Sequence, residues 1–227
     1  MNSFIWKDKD SYLDYGIIIN KLPSTVKAER NIEEIEVEGR DGDLTIDYKT
    51  YKPITFTLEC TLLNFERINE VKAWLDGFED LIFSWENDKY YKAKLVNKID
   101  IEQSLDICGE FQLLFKAQPF AYSTQNSIVS LIQASTIYNL GSINSKPLIK
   151  VFGTGDINLI VNGDIVNLYN VIDFITLDSE IMDAYKDTLL KNNDMNGEFP
   201  ELVVGENTIS WVGAVTKVDI NLNQRYL

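Results

Sequence analysis

The sequence predicts a mainly β protein, with an α+β first half and an all-β second half. Three stretches carry that reading. "PITFTLECTLL" alternates apolar and polar residues with a period of two, and "NFERINEVKAWLDG" repeats its apolar residues at helical spacing. "INLIVNGDIVNL" sets Asn162-Gly163 between two strand-like runs. A type I′ turn needs positive φ at both central positions, and Asn-Gly supplies it at low cost.

In chain order, "EGRDGD" reads as the turn of a hairpin. Gly39 and Gly42 tolerate positive φ, and Asp41 can bond its own backbone. A calcium loop starting at Asp41 fails on spacing. Ile46 stands where a glycine must make the sharp turn, and Lys52 where a bidentate Glu is required. In the next strand Ile54, Phe56, Leu58, Cys60 and Leu62 share one face, and Thr55, Thr57, Glu59 and Thr61 the other. The helix follows, with Asn64 as its cap, Phe65, Ile68, Val71, Trp74, Leu75 and Phe78 as its apolar face, and Gly77 as its C′ residue. "DLIFSW" and "YYKAKLVNKIDI" read as strands. The second turns Tyr91, Ala93, Leu95, Ile99 and Ile101 inward, and Lys92, Lys94, Lys98 and Asp100 outward. "GEFQLLFKAQPF" turns Phe111, Leu113, Phe115 and Ala117 inward, and Pro119 is expected to end it.

"AYSTQNSIVSLIQAST" is polar at first and lacks periodicity, so residues 123–135 read as a connection between domains 1–125 and 136–227. Beyond it, glycine-punctuated short runs ("KPLIKVFGTGDINLIV", "DIVNLYNV", "DFITLD", "NTISWVG", "TKVDINLNQRY") predict a β-sandwich or jelly roll, with "KNNDMNGEFPELVVGEN" as a long turn-rich loop.

Composition excludes several chemistries. Histidine is absent, which removes Ser-His-Asp and Cys-His catalysis and His-ligated metals. Cys60 and Cys108 form no CxxC and read as buried small hydrophobes. "GTGDINL" has neither P-loop nor dinucleotide-binding spacing. A net charge of −14 and a pI of about 4.4 disfavour sequence-specific binding to nucleic acid. No apolar run approaches the ~18 residues of a membrane span, and "MNSFIWKDKDSYLDYG" lacks a signal peptide's apolar core. Folding in a cytoplasm and no membrane partner are therefore expected.

Two sharper readings come from the second half. "LDSEIMDAYKD" (Asp178, Glu180, Asp183, Asp187) and "GEFPELVVGEN" (Glu198, Glu201, Glu206) hold enough carboxylates for a glycosidase pair, or simply for solvated loops. Trp211, with Tyr169 and Tyr185 behind it, is the candidate sugar platform. It shares a strand face with Ile209, which favours core packing.

The chain resembles the distal tail protein family of phages with long flexible tails. "SYLDYGIIINKLP", "EGRDGDLTIDYKTYKPITFTL", "FQLLFKAQPFAY", "YNLGSINSKPLIKVFGTGDINLIVNG" and "FITLDSE…NGEFPELVVGENTISWVG" follow the family's order from start to close. The resemblance implies a first domain related to the tail tube, a β-sandwich with one helix that closes a hexameric ring. It implies a second, galectin-like β-sandwich that projects outward. The ring would join the tail tube protein to the tail-associated hub protein, and the outer domain can carry a receptor-binding protein. The location would be the virion tail tip, after assembly in the host bacterial cytoplasm. The family offers no catalytic residue, metal or cofactor to transfer.

Within that frame, Glu34, Glu36 and Glu38 alternate with Ile35 and Val37, so the apolar pair is expected on the core and the glutamates along the ring's channel. Arg40, Asp41 and Asp43 can pair within their own turn or across to a neighbouring subunit. A structural tail-tip protein and a carbohydrate-binding adhesion module both remain open functions.

Overall fold

The computed structural model describes residues 1–24, 26–96, 102–105, 108–125 and 128–227, with side chains described for all but 102–105 and 108. The expected positions of Lys98, Ile99, Asp100 and Ile101, and of the Cys108 side chain, lie outside the described residues. The chain divides into two compact units, Met1–Thr124 and Gln125–Tyr226.

The first unit contains β1 (Phe4–Trp6), β2 (Lys9–Asp10), β3 (Ile17–Lys21), β4 (Arg30–Ile35), β5 (Leu44–Tyr51) and β6 (Ile54–Leu62). After α1 (Ile68–Trp74) come β7 (Phe78–Phe83), β8 (Glu86–Leu95), β9 (Glu102–Leu105) and β10 (Cys108–Ser123). One antiparallel sheet runs β2-β1-β7-β8-β10-β6-β3, with β9 also on β10. Its core is the face predicted by alternation. Ile54, Phe56, Leu58, Cys60 and Leu62 of β6 are buried, opposite Phe111, Leu113, Phe115 and Ala117 of β10.

The helix closes this core with Val71, Trp74 and Leu75. Asn64 accepts from the Glu66 N–H at 3.1 Å, as a cap should, but the turn it caps is the 3₁₀ segment Phe65–Arg67. Phe78, expected on the helix face, instead opens β7 and is exposed. The Trp74 indole stacks on Tyr15 at 4.2 Å and donates to the Trp6 carbonyl at 2.8 Å, tying helix to sheet.

Pro119 does not end its strand. β10 continues to Ser123, and its register against β8 shifts between Ala117 and Ala121. A bulge there tolerates a residue with no N–H to give the ladder.

Burial pushes the Cys60 thiol up to about 12. A Cys108→Ser chain should therefore leave Cys60 unreactive toward a thiol reagent at pH 8 until denatured. Stoichiometric labelling of the native chain would contradict the packing of β6.

The second unit holds β11 (Ile128–Leu131), β12 (Ser135–Asn139), β13 (Leu148–Val161), β14 (Asp164–Val171), β15 (Phe174–Asp178), β16 (Asp183–Lys186), β17 (Leu189–Leu190), β18 (Met195–Asn196) and β19 (Gly205–Asn221). Two corrections to the expected strands follow. The stretch expected as a connection contains β11, which pairs Ile128 with Asn221 through Leu131 with Val218. The two closing strands expected from "NTISWVG" and "TKVDINLNQRY" are one continuous β19.

β13 and β19 build the sandwich together. Along one half they extend a layer through β11 and β15-β16-β17, and along the other a layer through β12 and β14-β18. Their mutual register shifts between Phe152 and Gly153 and again between Thr154 and Asn158, where the pair bends from one layer into the other. A Cβ on Gly153 would lie 2.4 Å from the Ala214 carbonyl oxygen, and one on Gly213 would lie 2.7 Å from that of Asp156. The two backbones cross so closely that neither position has room for a side chain.

Ile149, Val151, Val218 and Ile220 of one layer and Ile157, Leu159, Val161 and Ile209 of the other share one core. Asn162 and Gly163 join β13 to β14 at φ of 54° and 96°, the turn predicted for them.

Candidate assembly surface and binding clefts

β4 and β5 form a two-stranded sheet of their own. Ile35 stands opposite Leu44 and Glu33 opposite Ile46, so Ile35, Leu44, Ile46 and Tyr48 share one face with Glu33. All four of these apolar residues are 37–50% exposed, as are Ile32 and Val37. This corrects the expectation that Ile35 and Val37 pack on the core. An isolated two-stranded hairpin is marginal in water. Side-chain pairs reinforce this one, because Arg30 Nε binds Asp47 Oδ2 at 3.1 Å and Tyr48 donates to Glu33. Asp47 sits below the usual carboxylate range, chiefly because the Lys49 N–H donates to it, with Arg30 adding to the effect. Lys49 takes φ of 55° at the bulge opposite Asn31.

The ladder ends at Ile35 and resumes at Leu44, so Glu34 lies on the strand while Glu36 and Glu38 follow it in the loop. Arg40, Asp41 and Asp43 are exposed in the same loop, and none of them makes an ion pair among the described residues. The Arg40 N–H closes the turn on the Val37 carbonyl at 3.1 Å. The sequence located this hairpin, but alternation alone could not show that its apolar face stays partly exposed.

The structure separates the aromatic residues proposed as a sugar platform. Trp211 stands opposite Leu159 on β13 and packs on the core. Tyr185 lies on β16 opposite Thr176. Tyr169 lines a cleft of about 410 Å³ with Ile172, Phe174 and Leu189. Two lysines that line the cleft are ion-paired, Lys186 with Asp173 at 2.9 Å and Lys191 with Asp194 at 2.8 Å.

Several carboxylates of the two acidic stretches have structural work. Asp178 accepts from the N–H groups of Glu180 and Ile181, Asp183 from the Asn192 amide, and Glu206 from the Tyr138 hydroxyl. Among the described residues, no group of three or more Asp, Glu, Cys or His side chains is placed to hold a metal ion. A second cleft, of about 430 Å³, has Asp164, Ser179, Glu198, Phe199 and Glu201 in its lining.

No family model and no curated protein matches the sequence significantly. A solved structure does match. It is that of the Dit protein (gp 19.1) of phage SPP1, described as a paradigm of the hub adsorption apparatus in phages infecting Gram-positive bacteria. The two share 12% identity, align over 100% of both chains and superpose with a TM-score of 0.76. From end to end, this chain has the fold of a phage distal tail protein.

Proposed function

We propose that the chain is a structural protein of a phage tail tip, built into the hub that receives the tail tube. In this reading six copies close a ring between the tube protein and the tail-associated hub protein, and the second unit offers an attachment point for a receptor-binding protein. The protein assembles in the host bacterial cytoplasm, ends in the virion tail tip and turns over no substrate. The full-length match to a hub adsorption protein carries the proposal.

The hairpin supports the ring. Its apolar face of Ile35, Leu44, Ile46 and Tyr48 is uncovered within the chain, and repetition of one such contact around an axis generates a closed assembly. Arg40, Asp41 and Asp43, unpaired within their own loop, then face a neighbouring copy. Glu34 on the strand and Glu36 and Glu38 in the loop after it line the channel, where like charge keeps a passing polyanion from sticking.

Native mass spectrometry of the full chain at micromolar concentration tests the reading, with a hexamer or a stacked pair of hexamers expected. A monomer that persists when the tube and hub proteins are co-expressed would refute it.

A further inference from the structure

The outward face of the first unit's sheet carries a charge arrangement that its own chain does not compensate. Lys116 of β10 stands directly opposite Lys94 of β8, and both are exposed beside buried Ala117 and Ala93. Like charges directly opposite each other on neighbouring strands destabilise a sheet. Neither lysine makes an ion pair among the described residues. Asp80 of β7 stands opposite Lys92 instead. In a chain of net charge −14, two adjacent lysines left without a carboxylate point to a partner outside the chain.

Apolar groups flank the pair. Phe78 of β7 stands opposite Lys94 and is 53% exposed, and Thr55 of β6 stands opposite Lys116. Thr55 also lines a cleft of about 280 Å³, together with exposed Leu22 and Val26. The row Phe78–Lys94–Lys116–Thr55 crosses four strands, about 14 Å at ~4.8 Å per strand.

The β4–β5 hairpin has the complementary make-up. Its apolar face from Leu44 to Tyr48 also runs about 14 Å, at ~3.4 Å per residue. The loop at its tip sets Glu38, Asp41 and Asp43 against the single cation Arg40. One hairpin docked on another would oppose carboxylates to carboxylates, whereas a hairpin docked on the lysine row opposes unlike charges. Hairpin and row are two different surfaces of one chain, so a contact between them is head-to-tail, the kind that can close into a ring. We infer that the hairpin of one copy lies across the Phe78–Lys94–Lys116–Thr55 row of the next. Asp41 and Asp43 reach the two lysines, and the Leu44–Tyr48 face covers Phe78 and the cleft at Leu22 and Val26. This contact rests on the proposed ring and supplies the surface that receives the hairpin.

Native mass spectrometry tests the contact under conditions in which the parent chain forms rings. Lys94→Glu places a carboxylate opposite Lys116, so its melting temperature should hold or rise while self-association weakens by about tenfold or more. Lys94→Glu together with Lys116→Glu should run as monomer. Adding Asp41→Lys and Asp43→Lys to that chain exchanges the signs and should strengthen assembly again by about tenfold or more. Rings that persist in the chain with both glutamates, or a sign-exchanged chain that assembles no better, would overturn this contact and leave the ring itself standing. A parent chain that stays monomeric with the tube and hub proteins co-expressed would refute the ring and the contact together.

Discussion

Alanine at Gly153 is expected to lower the melting temperature of the second unit by about 10–20 °C. The new methyl carbon would sit 2.4 Å from the Ala214 carbonyl oxygen and 2.8 Å from Ile157 Cδ1. The isoleucine tip can rotate away, but the carbonyl belongs to the ladder partner and can move only with β19. Because β13 and β19 serve both layers, that shift disturbs two packed faces and the bend between them. A backbone overlap of this kind falls in the ~2–4 kcal/mol class of severe substitutions, and each kcal/mol displaces the midpoint of a ~100-residue unit by about 4–8 °C. Gly213→Ala should behave similarly, since its φ of 124° is strained for any side chain and its Cβ would lie 2.7 Å from the Asp156 carbonyl oxygen. Thr154→Ala, at an exposed neighbouring position, is the control and should stay within about 0.5 kcal/mol of the parent. Calorimetry of the full chain resolves the comparison. A Gly153→Ala midpoint within about 2 °C of the parent would mean that the two strands do not cross so closely.

Aspartate at Ile46 or Leu44 should abolish the proposed ring and leave each unit's melting temperature unchanged. Both side chains project from a hairpin whose apolar face is bare, so within one chain the substitution exchanges one exposed group for another, worth within ±0.5 kcal/mol. In a ring the same positions are buried at every interface. There a carboxylate forfeits about 2 kcal/mol of apolar burial and adds its own desolvation, repeated at each copy. Native mass spectrometry should therefore pass from a closed ring to monomer under identical conditions. Rings that persist with both substitutions would remove this face from the assembly contact and leave the hairpin without a role.

The parts of the fold legible in the sequence are those where one physical rule acts alone. Period-two alternation placed Ile54 through Leu62 on the core because β6 has one wet face and one dry one. Asn162-Gly163 announced its turn because few residue pairs tolerate that backbone. The misreadings came where a neighbour overrides the local pattern. Pro119 reads as a strand end, yet a bulge absorbs it, and the bulge depends on the register with β8. "IVSL" looks aperiodic, but the distant β19 recruits it.

At the candidate sites the same limit applies. The alternating glutamates of "NIEEIEVEG" were visible, whereas the absence of a core beneath Ile35 and Val37 is a tertiary fact. Trp211 read as a platform or, more readily, as core, and in the structure it is partly buried and packs on the core. Nothing local could show that Asp164, Ser179 and Glu198 line one cleft, because they lie far apart in the sequence.

The long shared strand β19 also sets an order of events during synthesis. β11 and β12 find their partners 89 and 68 residues further on, in the pairs Ser130–Asp219 and Tyr138–Glu206. Until Gly205–Asn221 has left the ribosome, neither layer of the second unit can close, and β13 carries an unfilled edge along much of its length. The main ladder of the first unit, β2-β1-β7-β8-β10-β6-β3, is made before residue 124. The nascent chain thus passes through a stage with that ladder complete and an open, edge-exposed second unit. In that interval it is vulnerable to mispairing with another copy, and a pause placed before residue 205 would lengthen the exposure.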